Sequence, residues 1–262
     1  MLISEVMLQQ TPVSRVLPVW WEWIRRWPTP ADLAGAGEAI REWGRLGYPR
    51  RALRLHEAAK TIVERHGGEV PGDQASLLDL PGIGAYTAAA VASFAFGQRH
   101  AVVDTNVRRV FARTIEGTAQ AAPSLTVAET RLAASLLPVA ADRAARWGVA
   151  VMELGALVCT ARAPRCGDCP VREQCRWHLA GAPVHTGPVR RAQSWTGTDR
   201  QIRGALLAAL RASSTPLDGA RLAVQVPDST LRDEFQRARC LDSLVADGLV
   251  EPLPDDHYRL PG

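Results

Sequence analysis

The chain has 262 residues, of which 47% are hydrophobic, enough to fill one sizeable core and a smaller one, so two or three compact units are expected. No apolar run approaches the length of a membrane span, and nothing resembles a secretory leader, an acid standing at position 5 with no basic segment before it; the expectation is a soluble, cytosolic protein. The formal charge is only +4, yet the pI is near 9.0 and rests on arginine, Lys60 being the single lysine, which fits a surface that meets phosphates.

Apolar residues recur at helical spacing through the first two hundred positions, with almost no alternating pattern. Val13, Val16, Leu17, Trp20, Trp21 and Ile24 form one stripe, introduced by Thr11 as N-cap and Pro12 at the first helical position. A short helix is expected near 38–45, a longer one from about 50 to 66 ending at Gly67-Gly68, and another near 74–79. Leu80-Pro81-Gly82-Ile83-Gly84 is then a sharp turn before the strongly helical run that starts at Tyr86, so this stretch reads helix, hairpin, helix. Asp104 or Thr105 caps the next helix, with Arg108 and Arg109 in its early turns, and two more helices cover about 124–139 and 140–156. Residues 181–197 read as a linker. Beyond it, helices at about 198–212, 217–225 and 229–247 and an extended pair around Leu249–Leu260 suggest a small winged-helix-like module, a form that serves DNA and protein partners alike.

Four of the five cysteines fall within seventeen residues, as Cys159-x6-Cys166-x2-Cys169-x5-Cys175, and in a cytosolic chain this is a metal site rather than a disulfide framework. Spacing leaves zinc and an iron–sulfur cubane as equal readings: zinc favours paired C-x2-C chelates and only one is present, whereas a larger cluster tolerates wider loops. The Pro81-Gly-Ile-Gly turn can offer backbone N–H groups to a phosphate oxygen at a helix start. Glu5 precedes the amide pair Gln9 and Gln10, residues suited to reading base edges, and Asp104 lies twenty residues beyond the hairpin.

Ser4-Glu-Val-Met-Leu-Gln-Gln-Thr, Trp43-Gly-Arg-Leu-Gly-Tyr, Leu80-Pro-Gly-Ile-Gly-Ala-Tyr-Thr-Ala, Val103-Asp-Thr-Asn-Val-Arg-Arg-Val and the four cysteines, in this order, closely resemble the adenine DNA glycosylases of the MutY type, over about residues 2 to 180. The resemblance implies an all-α helix-hairpin-helix DNA glycosylase fold, with a helical-barrel domain at 1–118 and an iron–sulfur cluster domain at 119–180; the linker at 181–197 and the small winged-helix-like module at 198–262 are read from the residues and lie outside it. It implies a [4Fe–4S] cluster held by Cys159, Cys166, Cys169 and Cys175. Glu5 and Asp104 match the family's catalytic acids, with Asn106 and Tyr86 beside them; Gln9, Gln10, Tyr48, Gly82, Gly84 and Thr87 match positions that meet the base or the DNA backbone. The implied reaction is hydrolysis of the N-glycosidic bond of an extruded adenine mispaired with 8-oxoguanine or guanine, by a monomer acting on double-stranded DNA and associated with the nucleoid when bound.

The rival readings differ at named residues. An endonuclease III-like lyase needs a lysine just after the hairpin, where Tyr86 stands, while Lys60 belongs to another helix. A thymine-mismatch glycosylase accommodates the tyrosine but not the Glu-Val-Met-Leu-Gln-Gln-Thr segment, and a non-enzymatic iron–sulfur DNA-binding protein would need neither Glu5 nor Asp104. The pattern departs from the family in three places. Only four residues precede Glu5, so the nearby amino terminus is expected to favour the carboxylate and weaken this form, with recovery when upstream codons are restored. Tyr48 is followed by Pro49 rather than a second tyrosine, and the tail is too short for a Nudix-like domain.

Overall fold

The computed structural model describes residues 1–187 and 195–262; residues 188–194 of the expected linker lie outside the described residues. The chain divides into two compact units. One holds Met1–Glu5, Pro71–Asp79 and the chain from Ile83 to the linker; the other holds Val6–Val70, Leu80–Gly82 and the chain beyond the linker. The units therefore gather segments across the sequence rather than following the boundary at 118, because residues 83–118 pack with the cysteine-bearing segment.

The helices in chain order are α1 (Leu2–Leu8), α2 (Val13–Arg26), α3 (Pro30–Ala34), α4 (Ala39–Glu42), α5 (Arg50–His66), α6 (Gln74–Leu78), α7 (Ala85–Phe94), α8 (Thr105–Phe111), α9 (Val127–Leu136), α10 (Ala141–Glu153) and α11 (Arg176–Leu179). α5 starts and ends as the sequence predicts, with Gly67 as its left-handed cap. α3 is not foreseen: it is one short turn-and-a-half set by the Thr29/Asp32 capping box and Pro30 at its start. The helices expected at 124–139 and 140–156 are shorter. α9 begins behind the Thr126/Glu129 capping box, and α10 passes into a wide π-type turn at Leu154–Val158. A second π-type turn, Ala112–Glu116, follows α8.

Two expectations for α2 are corrected. Pro12, not Thr11, is the N-cap, and no side chain closes it, because the Thr11 hydroxyl is engaged with Leu46 O at 3.1 Å. The apolar stripe is split: Val16 and Trp23 are buried, while Val13, Leu17 and Trp21 are exposed. The buried side is anchored by tryptophans, with Trp23 edge-on to Trp27 at 4.9 Å and to Trp43 at 5.5 Å, a geometry that adds about 0.5–1.5 kcal/mol per pair beyond area burial. In the other unit α7, α8 and α10 pack together, and Phe111 stacks on Trp147 at 5.7 Å.

Beyond the linker the elements run α12 (Asp199–Ala212), β1 (Leu217–Asp218), α13 (Gly219–Val224), α14 (Gln236–Ala246), β2 (Glu251–Leu253) and β3 (His257–Arg259). The sheet is antiparallel in the order β1-β3-β2, with Leu217 opposite Tyr258 and Pro252 opposite Tyr258 on the other side. Three helices and a small sheet in this order form a winged-helix-like module. Its third helix starts at 236 rather than 229, because Asp228–Thr230 forms a 3-10 turn and Gln236 Oε1 accepts from the Arg232 N–H. The module does not stand apart: Ile40 belongs to its core with Leu206, Leu244 and Leu249, and Leu53 packs against it. Arg41 and Arg211 each donate to a main-chain carbonyl of the other segment, and Asp247 pairs with both Arg50 and Arg203.

Candidate active site

Glu5 is the central residue of α1 and is partly buried, with Leu2, Val6 and Met7 of the same helix in the core. Burial pushes its carboxyl above the ordinary glutamate range. A hydrogen bond with Tyr86 and the chain's amino terminus both pull it down, the latter in the expected direction, and Asp104 pushes it further up; burial is the largest effect and the net shift is upward. Tyr86, in the first turn of α7, is itself raised by burial, then by the charges of Glu5 and Asp104. Glu5, Tyr86 and Asp104, far apart in sequence, therefore share one electrostatic environment within one unit.

Asp104 is the N-cap of α8, and its two oxygens are divided. Oδ1 accepts from the Val107 N–H at 2.7 Å, and Oδ2 accepts from Asn106 Nδ2 at 2.8 Å. The capping role and the acidic role read separately from the sequence thus coexist in one side chain: the cap fixes its rotamer while leaving it beside Tyr86 and Glu5. Asn106 Oδ1 in turn accepts from Arg109 Nη2 at 2.8 Å, and Arg109 also donates to Gly155 O at 2.6 Å and to Cys159 O at 2.7 Å. A continuous hydrogen-bonded chain joins Asp104 to the first cysteine. It depends on Gly155, where a Cβ would lie 2.7 Å from Asn106 Cβ and 2.8 Å from Asn106 O. Arg109 is the link that sequence reasoning missed; its spacing from Asn106 on one helix face is the only local signal.

Cys159, Cys166, Cys169 and Cys175 line one hollow, closed by Arg113 and Trp177. Arg113 Nη1 lies 3.3 Å from Cys159 Sγ, its guanidinium stacks over the Trp177 ring at 4.7 Å, and its carbonyl accepts from Cys175 Sγ at 3.5 Å. Burial and the three other thiols push the Cys166 thiol up. The sulfurs ring a space rather than converge on a point: among the described residues no group of three or more His, Cys, Asp or Glu is placed to hold a single ion. Four soft thiolates with a nearby guanidinium to offset their charge fit a multi-iron cluster.

The hairpin gives its two glycines different roles. Gly82 has φ +77°, and a Cβ there would strike Arg54 at 2.5 Å, so only glycine fits. Gly84 is exposed at the start of α7, and a Cβ there would meet nothing. The open space at Gly84 is thus not demanded by the protein's own packing. Thr87, expected to face DNA, is instead buried at 2% exposure.

Gln9, Gln10 and Tyr48 lie in the unit that contains α5. Gln10 and Tyr48 have φ of +54° and +49°, left-handed conformations that cost a non-glycine residue about 1–3 kcal/mol each. Between them lies Arg51, buried to 7% exposure, whose guanidinium pKa is lowered by burial. Its Nη1 donates to Val6 O, Met7 O and Gln9 O at 2.8, 3.0 and 2.6 Å, and its Nη2 to Thr11 Oγ1 and Gly47 O at 2.9 and 3.0 Å.

Residues 3–133 match the family described as HhH-GPD superfamily base excision DNA repair protein, and residues 159–175 match the iron–sulfur binding domain of endonuclease III. The chain is 53% identical over its whole length to an adenine DNA glycosylase of Mycobacterium tuberculosis, covering 84% of that protein, and 53% identical to one of Mycolicibacterium smegmatis, covering 87%. The chain belongs to the adenine DNA glycosylases. A human adenine DNA glycosylase is 45% identical over 180 residues, 66% of this chain and 32% of the human protein. Among solved structures, a thermostable thymine-DNA glycosylase aligns with a TM-score of 0.59 at 30% identity over 68% of this chain and 83% of that one, and a non-covalent endonuclease III–DNA complex with 0.59 at 26% identity over 69% and 83%. The resident cofactor of this adenine DNA glycosylase is a [4Fe–4S] cluster, which decides between the two metal readings left open by cysteine spacing. Its fold is the helix-hairpin-helix glycosylase fold, and no helix among the described residues is long and apolar enough to cross a membrane.

Proposed function

We propose that this adenine DNA glycosylase removes adenine mispaired with 8-oxoguanine or guanine in double-stranded DNA as a monomer, with Glu5 as proton donor and Asp104 as the acidic partner. The observation that carries the reading is the Glu5 carboxyl, partly buried, hydrogen-bonded to Tyr86 and in the field of Asp104. Adenine leaves deoxyribose poorly unless protonated, and a carboxylic acid raised above its ordinary range holds its proton to higher pH than a solvated one and so is the better donor. As the base departs, positive charge develops on the sugar. The Asp104 carboxylate, fixed by Val107 and Asn106, stabilises that charge until water captures it. Tyr86 orients Glu5, and Asn106 orients Asp104.

The hairpin at Gly82 and Gly84 is assigned to the DNA backbone, and Gln9, Gln10 and Tyr48 to the extruded base and the opposite strand. Cys159, Cys166, Cys169 and Cys175 would hold the cluster, which supplies a rigid anchor for the arginine-rich segment Thr160–Arg176. No lysine stands near Glu5 within its unit, since Lys60 is on α5 and pairs with Glu57, so the enzyme is assigned no lyase step. The site of action is wherever the chromosome is, in the cytoplasm and nucleoid.

Single-turnover cleavage of duplexes carrying adenine opposite 8-oxoguanine, adenine opposite guanine and thymine opposite guanine, assayed before and after alkali with Glu5→Gln as control, tests this. Alkali-dependent cleavage at adenine that is lost in Glu5→Gln is expected. Cleavage at thymine alone would overturn the substrate assignment, and cleavage without alkali would overturn the monofunctional one.

A further inference from the structure

Arg51 is an unusual core residue. All its hydrogen-bond partners among the described residues are neutral: main-chain carbonyls at Val6, Met7, Gln9, Leu46 and Gly47, and the Thr11 hydroxyl. Its Nε is buried with no partner. Burying an unpaired guanidinium is costly, and an apolar side chain of similar volume would serve packing alone at lower cost. What the fork achieves is geometric. One nitrogen gathers the carbonyls at the end of α1, where the negative end of the helix dipole lies, and the other holds the Trp43–Tyr48 loop. Thr11 bridges the same two segments, accepting from Arg51 and donating to Leu46 O.

The two segments so joined carry the left-handed residues Gln10 and Tyr48. The guanidinium also stacks on the Trp43 and Tyr48 rings, 5.2 and 5.3 Å from their centroids, while Tyr48 remains 50% exposed. A ring held on one face and open on the other is prepared to stack on a base.

We propose that Arg51 is a positioning residue for recognition of the opposite strand, clamping the turn that carries Gln9 and Gln10 to the loop that presents Tyr48. The inference rests on the assignment of those three residues to DNA made above. Arg51→Lys keeps the charge but loses the planar fork, and Thr11→Val removes only the bridging hydroxyl. For both variants and the wild type, single-turnover excision is measured opposite 8-oxoguanine and opposite guanine, together with affinity for an undamaged duplex, the melting temperature, and the fluorescence of 2-aminopurine placed next to the opposite base. Folded Arg51→Lys should lose about ten- to a hundred-fold in excision rate, with the ratio between the two opposite bases moving toward one, the 2-aminopurine signal altered and undamaged-duplex affinity unchanged. Thr11→Val should change in the same direction by less.

A folded Arg51→Lys with the wild-type ratio and fluorescence would overturn the proposal; should that variant fail to fold, an unchanged ratio and fluorescence in Thr11→Val would do so. If the wild type itself excises no adenine, the assigned reaction fails, whereas an altered 2-aminopurine signal in the variants would still support the clamp.

Discussion

At the scale of single residues, the proposed chemistry turns on a carboxylic acid that must hold its proton. Glu5 is raised above its ordinary range chiefly by burial, so its protonated fraction, and with it the excision rate, should fall as pH rises through that raised value. Glu5→Gln should cost about 100- to 10,000-fold in single-turnover rate, the usual span for general acid catalysis. Tyr86→Phe removes a hydrogen bond that favours the carboxylate, so the alkaline limb of the pH–rate profile should move upward even as the rate declines from lost orientation; a limb that moves downward would show that Tyr86 does not hold Glu5. The motifs singled out Glu5 and Asp104, which the structure brings into one environment with Tyr86, and the four cysteines, which line one hollow. Arg51 and Arg109 were not legible in the sequence, because each is defined by carbonyls more than forty positions away, which no local spacing announces. Thr87 escapes the same reading because its motif does not say which side of α7 meets the core.

Helices were legible where a long period or a cap marked them, as in α5 and α8, and obscure where one turn sufficed, as in α3. The π-type turn at Leu154–Val158 carries no pattern of its own; it exists where α8 crosses at Gly155 and the backbones come close. Gly155→Ala should force Asn106 to move, destabilising the fold by about 1–3 kcal/mol as overpacking does and slowing excision through Asp104. Thermal melting and single-turnover kinetics on the same sample check both parts. For the cysteine segment, Arg162, Arg165, Arg172 and Arg176 are exposed around the hollow. Replacing the cysteines or removing the iron should weaken DNA binding and flatten its dependence on salt, by about 0.9 in the log–log slope for each phosphate that is no longer neutralised. An unchanged slope in a folded cysteine variant would show that these arginines do not meet DNA.

For the whole molecule, charge is unevenly shared. Residues 198–262 carry eight arginines against ten acidic residues, so the basic character resides in the rest of the chain. The arginines of the module are largely committed: Arg203 to Asp247, Arg221 to Asp218, Arg237 to Asp228, Arg239 to Asp233 and Arg259 to Glu251. The turn between β2 and β3 presents Asp255 and Asp256. Removing the module should leave the salt slope of DNA binding unchanged but lower the melting temperature, because Ile40 and Leu53 would lose their cover. A slope that falls on removal would return the module to the DNA-reading class. The module's elements were legible in the sequence but this docking was not, since an isoleucine in α4 gives no sign of which distant helix it will meet.

The sharing of Ile40 between the module's core and α4 also bears on how such enzymes can be recombined. The mycobacterial relatives align with this chain along its whole length, the human one along 66% of it. A chimera that grafts a foreign tail at the linker must therefore match its core-facing side chains to Ile40 and Leu53, or carry a replacement for α4 and the start of α5 with it.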